Sequence, residues 1–321
     1  MTSTNRVILV GAGGFIGNAL TRCLYGKNIA ISLISRSYQR DLSIFSPDKL
    51  DIITSDLINL PSDLPLFNDP SLVVYMAGST NLNEAEINPI KDFELHSNSL
   101  LSLLSRISSN QRLIFFSSGG AVYGEPLTKS SIETDPLRPK SIYGARNKIL
   151  EEIIFAVCRK RNIEHMILRL ANPYGLEQLH FRRRGLILSL MQSCVDNKVI
   201  NIRGNGEQKR DYFLVDDLCY LIHLLTNPDN KFPCSILNVG SGKSYSAREV
   251  VSFVSSFMKK EPNVEFSPQH FSSDVIDSSI DVSRLMDFMK VVSPANQNEK
   301  FLGLERSLLS LDLRSFVSSA K

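Results

Sequence analysis

The chain has 321 residues, 43% of them apolar and 21% charged, with a formal net charge of +3. This composition excludes a disordered or fibrous protein, and the length suits one large α/β unit or two coupled domains. So small a net charge argues against a nucleic-acid partner, and Arg182-Arg183-Arg184 reads as a short solvated or substrate-facing patch.

The first element is an apolar run, Arg6–Val10, rich in β-branched residues and read as a buried parallel strand. Gly11, Gly14 and Gly17 follow it and open a helix running through Asn18–Leu24. Each glycine has a mechanical use in a dinucleotide-binding turn. Gly11 permits the tight turn, Gly14 lets the backbone approach a pyrophosphate, and Gly17 lets the helix pack on the sheet. The anion then sits at the helix N-terminus, where free N–H groups and the dipole favour it. Further strand-like runs are Ile29–Ile34, Asp51–Thr54, Leu72–Met76, Leu113–Phe116 and Met166–Leu170. Phe93–Ile107 and Ile142–Arg159 read as helices, the first with Leu100, Leu101, Leu104 and Ile107 expected on one face. Repeated β-α-β units imply a Rossmann-type α/β fold with a doubly wound parallel sheet.

After about residue 172 the alternation breaks. Gly185–Val199 and Asp216–Leu225 read as helices, Asn201–Gly206 as a short strand and turn, and Ser235–Val239 as a returning strand. Ser246–Met258 is amphipathic, with Ser246 and Glu249 spaced as a capping box. The expected division is a nucleotide-binding domain over residues 1–172, with return elements at about 212–247, and a smaller C-terminal substrate lobe from 173–211 and 248–321. The five cysteines are scattered without a C-x-x-C pair, and His96, His165, His180, His223 and His270 show no ligand spacing, so no metal is expected. No apolar run approaches the roughly 18 residues of a membrane span, and the N-terminus enters a strand without a signal peptide. A cytoplasmic protein with no membrane association is expected.

Four stretches carry candidate chemistry. In Leu113–Gly124 a strand ends in small and hydroxylic residues, Ser117-Ser118-Gly119-Gly120. Ser141–Glu151 places Tyr143 at a helix start. Arg169–Gly175 ends a strand in the polar turn Asn172-Pro173-Tyr174-Gly175, and Gly204–Tyr212 contains Arg210-Asp211-Tyr212. Plainer readings stand beside these: Tyr143 as an ordinary helix-start aromatic, Asn172 as a turn residue, and Arg210-Asp211 as a surface ion pair. After the second strand an NAD enzyme usually carries an acidic residue for the ribose 2′-OH. Here Ser35-Arg36 stands instead, which leans toward the 2′-phosphate of NADP, unless Arg36 only stacks on adenine from solvent.

Together these stretches resemble the extended short-chain dehydrogenase/reductase family, and within it the nucleotide-sugar epimerases and dehydratases of the UDP-sugar 4-epimerase type. The resemblance covers roughly residues 6 to 285. It implies a bound NAD or NADP that takes a hydride from sugar C4 and returns it to the other face of the 4-keto sugar. It implies cofactor contacts from Gly11, Gly14, Phe15, Ile16, Gly17, Ser35, Arg36, Asp56, Leu57, Ala77, Gly78, Asn98 and Tyr143. It makes Tyr143 the base, and Ser118, Tyr143, Asn172, Arg210 and Asp274 the sugar- and diphosphate-binding residues. The family also pairs as homodimers, with Phe93–Ile107 and Ile142–Arg159 as the matching helices.

Three departures matter. The family's Tyr-x-x-x-Lys pair becomes Tyr143 and Asn147, with Lys148 one residue late. The family lysine assists a phenol whose free pKa is about 10, and Asn147 brings no charge. Lys148 reaching round, or another cation such as Arg146, could supply it, and restoring lysine at 147 is expected to raise activity or leave it intact. The family's catalytic Ser or Thr position is Gly119, which leaves Ser118 as the substitute. The arginine expected before Asp274 is Phe271. The first reading is therefore an epimerase or dehydratase acting on a UDP-sugar for bacterial surface polysaccharide. Its alternatives are an NADPH-dependent reductase of an NDP-4-keto sugar and a degenerate member that binds a nucleotide sugar without turnover.

Overall fold

The computed structural model describes residues 6–38, 45–46, 50–61, 64–78, 82–181, 185–267, 275–296, 298–312 and 316. In chain order the elements are β1 (Arg6–Val10), α1 (Phe15–Leu24), β2 (Ala30–Ser35), β3 (Leu50–Thr54), β4 (Ser71–Tyr75), α2 (Leu82–Ile87), α3 (Pro89–Arg106), β5 (Gln111–Ser118), α4 (Gly119–Val122), α5 (Ile142–Arg161) and β6 (Glu164–Leu170). They continue with β7 (Asn172–Tyr174), α6 (Leu186–Asp196), β8 (Ile200–Arg203), β9 (Lys209–Leu214), α7 (Val215–Thr226), β10 (Ile236–Val239), β11 (Ser244–Ser246), α8 (Ala247–Met258), β12 (Val264–Ser267), α9 (Ser283–Val292) and α10 (Leu304–Leu308).

Seven strands form one sheet in the order β10-β6-β5-β4-β1-β2-β3. The pairs β4–β5, β1–β4, β1–β2 and β2–β3 are parallel, as the sequence pattern predicts. Val7–Val10 and Leu72–Tyr75 are buried along their whole length, because helices cover both faces and no solvated face demands polar alternation. The order reverses direction between β1 and β4. Ligands of such sheets bind beyond the strand carboxyl ends at that switch point.

The chain divides into two compact units, one of Met1–Ser118, Ser141–Leu168 and Leu218–Leu237, the other of Gly119–Lys140, Arg169–Asp217 and Asn238–Lys321. In the first, Ile8, Val73, Leu100, Leu104, Leu113 and Ile154 belong to one continuous core. The leucine face expected on α3 needs one correction. Leu100, Leu104 and Ile107 are buried, but Leu101 is 45% exposed and Leu103 takes its place in the core. At about 100° per residue, Leu100, Leu103, Leu104 and Ile107 fall within roughly 100° of arc, and Leu101 lies about 60° beyond its edge. Arg112 clamps the N-terminal end of β5, bonding Glu164 (3.1 Å) and the carbonyls of Leu225 and Asn230 while lying 4.2 Å over the Phe232 ring.

The second unit holds a three-stranded sheet, β11-β9-β7, and a two-stranded one, β12-β8. Its core gathers Tyr174, Ile187, Met191, Val250, Leu304 and Leu308. The capping box of α8 forms as its spacing predicts: Glu249 N–H donates to Ser246 Oγ (3.2 Å), and Ser246 N–H to Glu249 Oε2 (2.7 Å). Asp217 ties down a distant stretch of chain, accepting the Phe301 N–H at 2.8 Å with Lys300 Nζ at 3.6 Å.

Burial pushes the Asp217 carboxyl up to about 6. The folded chain thus holds this proton more tightly than the unfolded chain, whose carboxyl titrates near 4. Its contribution to stability is full below about pH 4 and is lost as the pH rises through 6. Asp217→Asn is expected to flatten this dependence. Between pH 4 and 7 the variant should lose roughly 2–3 kcal/mol less than the parent in urea titrations. Equal losses would mean that Asp217 does not titrate as its burial demands.

Candidate functional site

The first unit builds a turn with no room for side chains at the end of β1. Gly11 has φ +88°, and its N–H donates to the Ile34 carbonyl at 2.8 Å. A Cβ there would lie 2.7 Å from Ala77 N, on the loop after β4. A Cβ on Gly17 would lie 2.5 Å from the Ala12 backbone, so the helix packs directly on the turn. Gly13, which the three-residue spacing passes over, is just as constrained: its Cβ would overlap the Ser37 carbonyl oxygen, with Ser35 Oγ at 2.7 Å. The adjacent pair Gly13-Gly14 was the available signal. Beyond Gly14 the space is open, since a Cβ would meet only the Gly11 carbonyl at 3.6 Å, and beyond Gly78 nothing lies within 4 Å. Gly14 caps α1 without any side-chain hydrogen bond, leaving the first-turn N–H groups, beginning with Phe15, Ile16 and Gly17, to face an anion.

Other residues singled out in the sequence lie in the same unit. Ser35 ends β2 and donates from Oγ to the Ser37 carbonyl at 3.0 Å. No carboxylate occurs from Ser35 to Tyr38. Asp56 caps a short 3₁₀ turn through Ile58 N–H (3.2 Å), and Leu57 is buried under α3, its carbonyl accepting from Ser102 Oγ at 2.8 Å. Asn98 is exposed on α3, two residues and about 200° of helix rotation from buried His96.

Helix α5 carries the candidate base. Ser141 Oγ accepts the Gly144 N–H at 3.1 Å and starts the helix, which sets Tyr143, half-buried, in its first turn. Two residues lie on the same helical stripe one turn on. Arg146 is 3% exposed, and its guanidinium carbon sits 4.7 Å from the Tyr143 ring centroid. It donates from Nη1 to both oxygens of Asp92, at 2.9 and 3.1 Å. His96 Nε2 lies 3.4 Å from Asp92 Oδ1, and burial first, then the Arg146 charge, pulls this imidazole down to about 4, so it is neutral at pH 7. Asn147 is 5% exposed, accepts from Arg146 Nη2 at 3.4 Å, and leaves its Nδ2 buried without a hydrogen-bond partner. Lys148, half-buried, is a further 100° around the helix. Ser117 is buried and donates to Glu151 Oε1, while Ser118, its neighbour on the other face of β5, is half-buried.

These residues fit a dinucleotide. The turn offers uncapped N–H groups and an opening that a Cβ on Gly14 would fill, and Asn147 offers a buried donor that no described residue satisfies.

In the second unit, a Cβ on Gly119 would meet the Arg169 carbonyl at 3.1 Å and Ile280 at 3.3 Å, a tight fit for any side chain. The tail of that motif is structural. Tyr123 is 2% exposed; its OH accepts from Arg169 Nη1 (2.9 Å) and donates to Asn238 Oδ1 (2.7 Å). Glu133 completes the network through the Asn238 N–H (3.1 Å) and Arg284 (3.6 Å). Asn172 donates from Nδ2 to the Asp211 carbonyl at 2.9 Å and so joins β7 to β9. Arg210 and Asp211 are not the surface ion pair that the sequence allows. Asp211 is fully buried, pushed up to about 6 by that burial, and accepts Ser241 N–H, Ser241 Oγ–H and Gly242 N–H at 3.0, 2.6 and 2.9 Å. Arg210 points the other way, donating to the Lys209 and Ile276 carbonyls, and among the described residues no carboxylate pairs with it. Alternation along a strand separates the two side chains. Asp274 and the run Arg182–Arg184 lie outside the described residues. Among the described residues no cluster of three or more His, Cys, Asp or Glu could hold a metal ion, and no helix is long and apolar enough to cross a membrane.

The chain is similar to known proteins. The putative UDP-glucose 4-epimerase of Methanocaldococcus jannaschii is 28% identical over 251 residues, covering 77% of this chain and 81% of that protein. The dTDP-4-dehydro-6-deoxyglucose reductase of Escherichia coli is 26% identical over 299 residues, covering 88% and 90%. The Thermus thermophilus UDP-glucose 4-epimerase, solved in complex with NAD, superposes with a TM-score of 0.76 at 21% identity over 97% of this chain and 99% of its own. The family model described as NAD dependent epimerase/dehydratase matches residues 7–240, more than half of the chain, and the chain belongs to that family.

Proposed function

We propose that this chain is a nucleotide-sugar epimerase that works on a UDP-sugar destined for bacterial surface polysaccharide, as a cytoplasmic homodimer. The observation that carries the reading is the pairing, within one unit, of the glycine turn at the switch point with Tyr143 and the buried, unsatisfied Asn147 amide. A bound nicotinamide nucleotide would accept and return the hydride at sugar C4. Gly11, Gly14 and Gly17, with the N–H groups of Phe15 and Ile16, would hold its diphosphate. Asp56, Leu57, Ala77 and Gly78 would line the nucleotide, with Asn98 at its edge, and Asn147 Nδ2 would donate to a ribose hydroxyl. Tyr143 would take the proton of the C4 hydroxyl, with Ser118 orienting that hydroxyl in place of the absent side chain at 119, and Lys148 as the nearest further cation on α5. The second unit would hold the substrate, with the Arg210 fork on the diphosphate and Asn172 at the sugar. Apolar exposure at Leu101, Ile142 and Ile149, 37–45%, on α3 and α5 supports a second copy as the partner of these helices.

A reductase of an NDP-4-keto sugar is the second reading. It is supported by Ser35-Arg36, with no carboxylate to meet a ribose 2′-OH, and by the activity named for the Escherichia coli relative. The same residues favour NADP over NAD.

Turnover decides between these readings. Protein incubated with UDP-glucose, UDP-galactose or their N-acetyl forms, with NAD or NADP, is expected to give a C4 epimer by NMR without net cofactor consumption. Tyr143→Phe should then cut turnover by about 10²–10⁴-fold and leave nucleotide-sugar binding intact. Reduction of a 4-keto sugar with stoichiometric loss of NADPH would establish the second reading, and binding without turnover would show a degenerate site. Arg36→Ala is expected to weaken NADP binding about tenfold more than NAD binding; equal effects would remove the case for NADP.

Burial at position 147 argues against a gain from lysine there. The site is 5% exposed and already holds the Arg146 guanidinium at 3.4 Å, so Asn147→Lys would bury a second cation beside the first. The variant should lose roughly 2–4 kcal/mol in thermal or urea unfolding, and activity with it. A variant as stable and as active as the parent would show that this stripe tolerates a second charge.

A further inference from the structure

We propose that Arg146, held in place by Asp92, is the cation that enables Tyr143 to act as a base, a positioning charge that works through the phenol ring rather than by touching substrate. This rests on the reading of Tyr143 as the base. A free tyrosine is almost wholly protonated at neutral pH, so its use as a base needs a local field that favours the phenolate. The structure supplies one such charge against the ring. Arg146 is three residues from Tyr143 on α5, on the same stripe of the helix, with its guanidinium carbon 4.7 Å from the ring centroid. A cation over an aromatic face is attracted to the neutral ring and more strongly to its anion.

The cost of placing the charge there is itself evidence of use. Arg146 and Asp92 are 3% and 2% exposed, and an apolar pair of similar volume would pack such a position at least as well. Both Asp92 oxygens accept from the one Nη1, which anchors that end of the guanidinium, and neutral His96 lies against Asp92 without adding charge. The other ionisable groups around this stripe are left unmutated in the test below: Glu86 on α2, whose Oε1 accepts the Ile142 N–H at 2.8 Å; Lys148 on α5; Arg36, whose charge reaches His96; Asp56, whose charge reaches Tyr75; and Tyr75 on β4, whose phenol feels the Arg146 charge and whose own response the Tyr143→Phe difference removes.

The two members of the pair act on the phenol with opposite sign, whereas a purely structural pair would fail in the same way whichever member were removed. The test follows Tyr143 by near-ultraviolet tyrosinate absorbance, taken as the difference between each protein and its Tyr143→Phe counterpart, and needs no turnover. The ascending limb of turnover against pH is recorded in parallel. The expected order of midpoints, highest first, is Arg146→Gln, then Asp92→Asn/Arg146→Gln, then the parent, then Asp92→Asn, with neighbouring steps on the order of one pH unit. If Arg146→Gln does not fold, the neutral double variant and Asp92→Asn still bracket the parent. Coincident midpoints, or shifts of the same sign for Asp92→Asn and the double variant, would overturn the proposal. The ordered absorbance series in a protein that turns over no sugar would instead support the charge pair and refute the base reading.

Discussion

Everything at the candidate cofactor site depends on backbone meeting backbone where β1 ends. Gly11 lies against the chain at Ala77, Gly13 under the Ser37 carbonyl, and Gly17 against Ala12. A methyl group at any of the three would separate a pair of elements: β1 from the loop after β4, the turn from the loop after β2, or α1 from the turn. The sheet order reverses direction at this place, so this close backbone packing coincides with the crevice that the topology opens. Gly14 is the exception. Space rather than backbone lies beyond it, which separates the glycine that would serve a ligand from those that serve the fold.

Chemistry on α5 is arranged along one helical stripe. Tyr143, Arg146 and Asn147 follow one another around less than one and a half turns, and each brings something the others lack: a phenol, a fixed charge, and a neutral donor. The charge is stationed by a carboxylate from α3, 54 residues earlier in the chain, and the donor is held close to that charge through its own oxygen. Burial of Arg146, Asn147 and Asp92 keeps water from screening the charge, which is why one ion pair can matter here and would not on the surface.

Local patterns carried much of this into the sequence. The unbroken apolar runs of β1 and β4 announce strands covered on both faces, the Ser246–Glu249 spacing announces a cap, and the glycines announce the turn. The sequence is silent where a residue's meaning depends on something distant. Arg146 reads only as one of two cations that could stand in for the missing lysine, and nothing marks it over Lys148 until Asp92 is seen against it. Asp211 looks like half of a surface pair until the Ser241–Gly242 turn closes over it. Gly13 looks incidental until the loop after β2 crosses it. Leu101 shows the opposite error: in a cluster of leucines it reads as core, yet it lies about 60° past Leu104, outside the face that Leu103 completes.

Tyr123 has a bearing on how such proteins are sorted. Its hydroxyl is the centre of a buried network of Arg169, Asn238 and Glu133, and Gly124 beside it holds a positive φ against the Arg138 carbonyl. The most conspicuous part of the Ser-Ser-Gly-Gly-Ala-Val-Tyr-Gly signature therefore answers to folding. A lineage could abandon its reaction altogether and still be obliged to keep those letters. A motif scan across genomes would go on counting its members as enzymes.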